Sequence, residues 1–325
     1  MIYLESATQL FELPANLQFA STVQGRAMTQ DLNDTQPYRR ILLRAVGMSK
    51  RFGALAAVSN VDFDVPRHGI VSLIGPNGAG KTVFFNILTG IVKPDSGDIW
   101  FNGKRINGQR PDRITHLGIA RTFQGIRLFK KMTVLDNVLV GNHTHLSRNL
   151  FEVVMRSMRV QDEEEVARKR SFELLDFVGL RAHANTEAGD LPYGMGRRLE
   201  VARALATSPQ LLLLDEPTAG MNPSETAGMV DLISRLRRDL GLAVLLIEHD
   251  MKVVMRISDR VSVMDYGIKI AEGSPDEVRR NSLVIEAYLG RSANAERELN
   301  PPEAEANQEP DTSGGLQMRP RTVTG

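Results

Sequence analysis

The residues of this chain best suited to chemistry run from Gly75 through Pro76, Asn77, Gly78, Ala79, Gly80 and Lys81 to Thr82. They fit the spacing G-x-x-x-x-G-K-[ST], in which glycines let backbone N–H groups curl around phosphate oxygens. Lys81 would reach the β- and γ-phosphates, and the Thr82 hydroxyl would ligate Mg²⁺. At ordinary residue frequencies such a match arises by chance in roughly 1 of 100 chains of this length. The plainer alternative is a glycine-rich turn with a surface lysine. A second stretch, Leu211–Pro217, ends an apolar run in two carboxylates. Asp215 would hold Mg²⁺, directly or through water, and Glu216 is placed to polarise an attacking water as general base. A third, Ile247–Met251, carries His249 out of another apolar run. A lone histidine there is more often a hydrogen-bonded core residue. Beside a phosphate loop it reads instead as a group that contacts and senses the γ-phosphate.

These groups need elements to hold them. Ile70–Gly75 reads as a buried strand running into the glycine-rich turn, and Gly80–Leu88 as the helix whose N-terminus adds its positive dipole end. The runs LLLLD and AVLLI predict further buried strands, with a helix over Ser224–Leu240 between them. Strands alternating with helices imply a mostly parallel sheet whose ligands bind at the C-terminal strand edge. Ile41 onward (ILLRAVG, VSNVDFDVP) and Gly97–Gly103 are strand-like, and VSVMD and IKIAEG read as late strands. From about Val134 to Leu180 the pattern turns helical and charged, with Glu164/Arg168 and Glu165/Lys169 spaced as solvated helix pairs. LVIEAYLG predicts a final helix.

Composition bounds the rest. The chain has 325 residues, 40 Lys+Arg against 39 Asp+Glu, and no cysteine. The balance of charge gives no support for nucleic-acid binding through a basic face. The absence of cysteine excludes disulfides, thiolate metal sites and cysteine nucleophiles. No apolar run approaches the ~18 residues of a spanning helix, and the N-terminus lacks a basic signal region, so a cytosolic protein is expected. Residues 1–40 read as a flexible extension. From Arg291 four arginines face six carboxylates among few apolar residues, which predicts a disordered tail over 291–325.

The order of phosphate loop, Gln124 in RTFQ, LPYGM, DEP and EHD resembles the ATP-binding-cassette ATPases, over about Ile41 to Gly290. Within that superfamily the chain most resembles the importer ATPases for branched-chain amino acids, of the longer, G type. RTFQGIRLFKKMTVLDNVLVG, Tyr193, EPTAGMNPSET and SDRVSVMDYGIKIAEGSPDEV…VIEAYLG carry the likeness. The resemblance implies an α/β P-loop core with a mostly parallel sheet, an antiparallel β subdomain, and an inserted helical subdomain over about 125–190 that grips membrane subunits. It implies ATP and Mg²⁺ as ligands. Phe52 would stack on adenine, although a core Phe is the plainer reading. Gln124 would touch Mg²⁺ and the attacking water, and Asn222 would lie in the loop at a dimer seam. The implied partners are two integral-membrane permease subunits, a second cassette ATPase, and indirectly a solute-binding protein outside the membrane. The implied place is the cytoplasmic face of that membrane.

Such ATPases pair head to tail, each nucleotide lying between one chain's phosphate loop and the other's LSGGQ-like signature. Here the signature is Leu191, Pro192, Tyr193, Gly194 and Met195. Proline replaces the serine that donates to the γ-phosphate and has no N–H of its own. Losing one charge-assisted hydrogen bond costs about 1.5–3 kcal/mol. That cost falls on the partner's nucleotide, so the expectation is an asymmetric heterodimer. Rival readings are a lipid or lipopolysaccharide exporter ATPase, a soluble cassette protein such as a translation factor, and a silent nucleotide-binding regulator. Exporters normally keep an intact signature, such translation factors carry two cassettes, and the complete hydrolytic set argues against a silent protein.

Overall fold

The computed structural model describes residues 41–142 and 158–288. The N-terminal extension, the tail and the end of the last predicted helix lie outside these residues. Two sheets organise the chain. The first is antiparallel, in the order β2-β1-β4-β5: β1 (Ile41–Phe52), β2 (Leu55–Pro66), β4 (Ser96–Phe101) and β5 (Lys104–Arg105). The second has the order β10-β9-β3-β8-β7-β6: β3 (Ile70–Ile74), β6 (Ile119–Arg121), β7 (Leu211–Asp215), β8 (Ala243–Ile247), β9 (Arg260–Asp265) and β10 (Ile268–Gly273). All its pairings are parallel except the β9–β10 hairpin.

The helices are α1 (Lys81–Leu88), α2 (Pro111–His116), α3 (Val134–Asn142), α4 (Met158–Val178), α5 (Tyr193–Ala206), α6 (Pro223–Arg238), α7 (Met251–Ile257) and α8 (Pro275–Arg280). A helical stretch over 282–288 follows. Most predicted elements stand within a residue or two of their expected ends. β1 and β2 are longer than the sequence suggests, because Lys50–Phe52 and Leu55–Val58 continue the ladder around the turn at Gly53 and Ala54.

The unbroken apolar runs follow from two buried faces. Leu212 and Leu214 of β7, with Val244 and Leu246 of β8, pack against α3 to α6. The alternate residues Leu211, Leu213, Leu245 and Ile247 pack on α1 and the antiparallel sheet. The core beneath α3, α4 and α5 is continuous with the first of these faces. The helical region predicted to end near 190 therefore packs as one body with α5, which begins at Tyr193. Glu164, Glu165, Arg168 and Lys169 are exposed, as a solvated face requires.

Candidate functional site

Strand order places the chemistry. β3, β8, β7 and β6 lie side by side and parallel, so their C-terminal ends emerge on one edge. Beyond them lie the phosphate loop, then Glu248 and His249, then Glu216, then Thr122–Gln124. Four motifs separated in sequence thus become neighbours in the order of the strands.

The loop leaves β3 at Gly75 and enters α1 after Gly80. Gly75 has φ +147 and Gly80 φ +95. A Cβ on Gly75 would come within 2.0 Å of the Met264 carbonyl oxygen, and one on Gly80 within 2.1 Å of the Ala57 carbonyl oxygen. Only glycine fits at both positions. Gly80 caps α1 without a side-chain hydrogen bond, so the first-turn N–H groups are left to bind an anion. The Lys81 ammonium is buried and donates to the carbonyls of Gly75 (2.6 Å) and Pro76 (2.9 Å). Asn77, Gly78 and Thr82 are exposed, whereas Pro76 and Ala79 are buried beneath the loop. This cradle of backbone donors, a lysine and a hydroxyl fits a nucleotide's phosphates.

Glu216 follows β7 with φ +50, a left-handed conformation uncommon for a non-glycine residue. Its N–H donates to the Ile247 carbonyl at the end of β8 (2.9 Å), which fixes this turn. Each carboxylate oxygen has a separate partner. Oε1 lies 2.6 Å from His249 Nε2, and Oε2 accepts from Gln124 Nε2 at 3.0 Å. The three residues named as catalytic from sequence are therefore joined across three strand ends by two hydrogen bonds that meet at Glu216. His249 is 41 % exposed, which excludes the core-histidine reading. Phe52 is 49 % exposed at the end of β1, with the Lys50 ammonium 5.4 Å from its ring centroid. It is not a core residue.

Asp215 is more occupied than the sequence suggests. It is 3 % exposed and ion-paired with the buried Arg121 at 2.8 Å. Arg121 also donates to Asn86 of α1 at 2.7 Å, and its guanidinium lies over the rings of Phe85 and Phe123. Its Nε is buried without a hydrogen-bond partner. Thr82, Gln124 and Asp215 offer the oxygen donors that Mg²⁺ takes. Among the described residues no cluster of three or more His, Cys, Asp or Glu is arranged to hold a metal. A cation here would therefore draw its remaining ligands from phosphate and water.

Sequence reasoning missed the supports. Glu248 is buried and accepts from Thr218 N (2.9 Å) and Oγ1 (2.5 Å) and from His249 N (3.0 Å). It locks the turn after β7 to the turn after β8. Arg197 of α5 donates to the backbone carbonyls of Phe123 (2.8 Å) and Gln124, to the Tyr193 hydroxyl, and to Glu200 (3.3 Å). Glu200 in turn accepts from Arg127 N at 2.7 Å. Burial pushes the Glu200 carboxyl above its ordinary range, against the opposing hydrogen bond from Arg127 and the charges of Arg197 and Arg203. A charged pair at i, i+3 inside a helix that also carries buried apolar residues was the available signal.

The signature segment opens α5. Pro192 stands at the N-cap (φ −51, ψ 149), offers no side-chain cap, and accepts from Gly196 N through its carbonyl (3.0 Å). Leu191 packs against the helical core, Tyr193 is exposed, Gly194 is buried, and Met195 is partly buried. Asn222 caps α6 with a capping box: its side chain accepts from Glu225 N, and the Glu225 carboxylate accepts from Asn222 N.

This geometry defines a P-loop nucleotide hydrolase with an acid-histidine-glutamine constellation at the sheet edge. Comparison with known proteins makes the class specific. The ABC transporter family model matches residues 58–219, and that of the branched-chain amino acid ATP-binding cassette transporter matches residues 269–294. The chain is 46 % identical over 251 residues to the high-affinity branched-chain amino acid transport ATP-binding protein LivG of Escherichia coli K12, covering 77 % of this chain and 98 % of LivG. It is 45 % identical to BraF of Pseudomonas aeruginosa, covering 78 % and 99 %. An ATP-binding cassette solved in its ADP conformation superposes with a TM-score of 0.68 at 33 % identity, covering 77 % of this chain and 99 % of that one. The chain belongs to the ATP-binding cassette transporter family, among the ATPase subunits of the branched-chain amino acid type. It is a nucleotide-binding ATPase. No helix among the described residues is long and apolar enough to cross a membrane.

Proposed function

We propose that this chain hydrolyses ATP to drive an importer for branched-chain amino acids or related small amide or urea solutes. In this reading it sits on the cytoplasmic face of the membrane against two permease subunits, with a solute-binding protein feeding the far side and no nucleic-acid partner. The observation that carries the reading is the pair of hydrogen bonds that hold Glu216. A carboxylate whose two oxygens are held by His249 and Gln124 is oriented rather than free to rotate. An oriented base takes the proton of an attacking water without first paying to become ordered.

The other roles follow from chemistry. The N–H groups of Gly78 to Thr82 and the Lys81 ammonium bind phosphate charge, and the exposed face of Phe52 offers adenine a stacking surface. Thr82, Gln124 and Asp215 would hold Mg²⁺, which when bound neutralises phosphate charge. The 2.8 Å ion pair with Arg121 holds the Asp215 carboxylate in place. His249 lies between Glu216 and the loop's strand, where it can register the γ-phosphate. The dimer is a head-to-tail sandwich in which Leu191–Met195 meets the partner's nucleotide and Asn222 lies at the seam. Pro192 makes a heterodimer with an intact second signature the better fit.

The test is Glu216→Gln in the complex purified from gently solubilised membranes. Hydrolysis should fall by about 100-fold or more, the share ascribed to a general base, while ATP binding persists and the dimer stays closed. Wild-type turnover in this variant rejects Glu216 as the base. Recovery of the chain without permease subunits or a second ATPase rejects the transport assembly.

A further inference from the structure

The signature end of α5 already has an anion beside it. A Cβ built on Gly194 would lie 2.7 Å from Glu225 Oε1 and 3.0 Å from its Cδ, so the Glu225 side chain lies directly against this glycine. The other carboxylate oxygen accepts from Asn222 N at 3.0 Å, and Asn222 Oδ1 accepts from Glu225 N at 2.9 Å. Glu225 is thus held by the α6 cap at its backbone N–H and at one carboxylate oxygen. Gly220 is covered by the Tyr193 ring, 3.4 Å from where its Cβ would be, so the loop before α6 and the start of α5 form one surface. α5 has no side-chain cap of its own. Its positive dipole end therefore faces a carboxylate borrowed from the neighbouring helix.

We propose that Glu225 is a built-in competitor for the nucleotide that this chain's signature receives from the partner, and so a positioning residue that sets how much ATP is needed to close the dimer. The proposal rests on the sandwich dimer described above. A γ-phosphate approaching Gly194 meets a negative charge at contact range, and like charges raise the cost of closure. Closure then requires the Glu225 carboxylate to leave Gly194, giving up its bond to Asn222 N. Without nucleotide the same carboxylate lies against the α5 terminus and, through Asn222 N, keeps the turn before α6 in place. The contact therefore favours the open state, and ATP replaces one anion with another.

Glu225→Gln separates charge from capping, because the glutamine oxygen still accepts from Asn222 N. The measurement uses the full-length chain with Glu216→Gln, together with its co-purified ATPase partner, and reads the ATP concentration that half-closes the dimer. Adding Glu225→Gln should lower that concentration about three- to tenfold at low salt, with the gap narrowing as salt screens the charge. The melting temperature should not change, which shows that the cap survives. An unchanged or higher half-closing concentration overturns the proposal and leaves Glu225 as a cap alone. If the Glu216→Gln parent forms no closed dimer at any ATP concentration, the sandwich itself fails, and the proposal fails with it.

Discussion

Two helices in this molecule start without a side-chain cap near its functional groups, and their surroundings differ. At α1 the terminus is wrapped by the loop Gly75–Gly80, a lysine is folded onto that loop, and the neighbouring strands supply an acid, a histidine and a glutamine. At α5 the terminus carries a proline where a hydroxyl is expected and has Glu225 against its glycine. The first end is built to hold a nucleotide and act on it. In the proposed dimer the second would meet a nucleotide held by the partner, and meet it weakly. On that proposal, catalytic completeness and weak dimer-side recognition are separable properties within one chain. The helices α6, α7 and α8, by contrast, have ordinary side-chain caps at Asn222, Asp250 and Ser274.

The strongest test of that separation is Arg197, because it joins the two ends. Arg197→Ala leaves Glu200 buried without its cation and removes the donors on Phe123 and Gln124. A loss of about 3–5 kcal/mol in unfolding free energy is expected. The sign of its pH dependence is fixed. Glu200 already has a raised folded-state value, and losing Arg197 raises it further, so the folded variant binds more protons than its unfolded chain. The deficit should grow as pH rises from acid toward neutral, and denaturant unfolding at several pH values would measure it. A deficit that shrinks with rising pH contradicts the buried ion pair.

Pro192→Ser sharpens the comparison from the other side. With Glu216→Gln silencing this chain's own site and holding the dimer closed, the rate of a single round of hydrolysis belongs to the partner's loop and this signature. Restoring the hydroxyl should raise it by roughly 10-fold or more, the equivalent of one charge-assisted hydrogen bond of about 1.5–3 kcal/mol. Equal turnover at the two sites before any repair would remove the asymmetry altogether. The smallest effect is expected at Asn222. Its replacement by alanine should cost about 1 kcal/mol of stability, seen calorimetrically as a fall of about 2–4 °C in melting temperature. A larger fall means that the Gly220–Glu225 loop supports α5 as well as α6.

The nucleotide end was legible because its chemistry is contiguous. Gly75–Thr82 follow one another, and Asp215, Glu216 and His249 each close an apolar run that reads as a buried strand. What the sequence hid depends on which strands lie side by side. Arg121 reaches Asp215 only because the three-residue strand β6 pairs with β7, and a strand that short carries no period of its own. Thr218 reaches Glu248 only because β7 and β8 are neighbours. The role of Arg197 depends on where the Gln124 backbone passes α5, a distant contact that no local pattern encodes. The boundary expected near 190 failed to mark a packing break for the same reason: α5 shares apolar contacts with helices far upstream.

The grip of Arg197 on two successive backbone carbonyls makes α5 and Gln124 a single mechanical part. Glu216 belongs to a different part, anchored to β8 through the Ile247 carbonyl. At the base itself these parts meet through the 3.0 Å hydrogen bond from Gln124 to Glu216. A relative slip of about 1 Å is enough to break a hydrogen bond of that length. In the proposed function, a force that tilts the helical layer would act as a clutch on the chemistry, engaging or releasing the base through a displacement far smaller than the motion of any solute across a membrane.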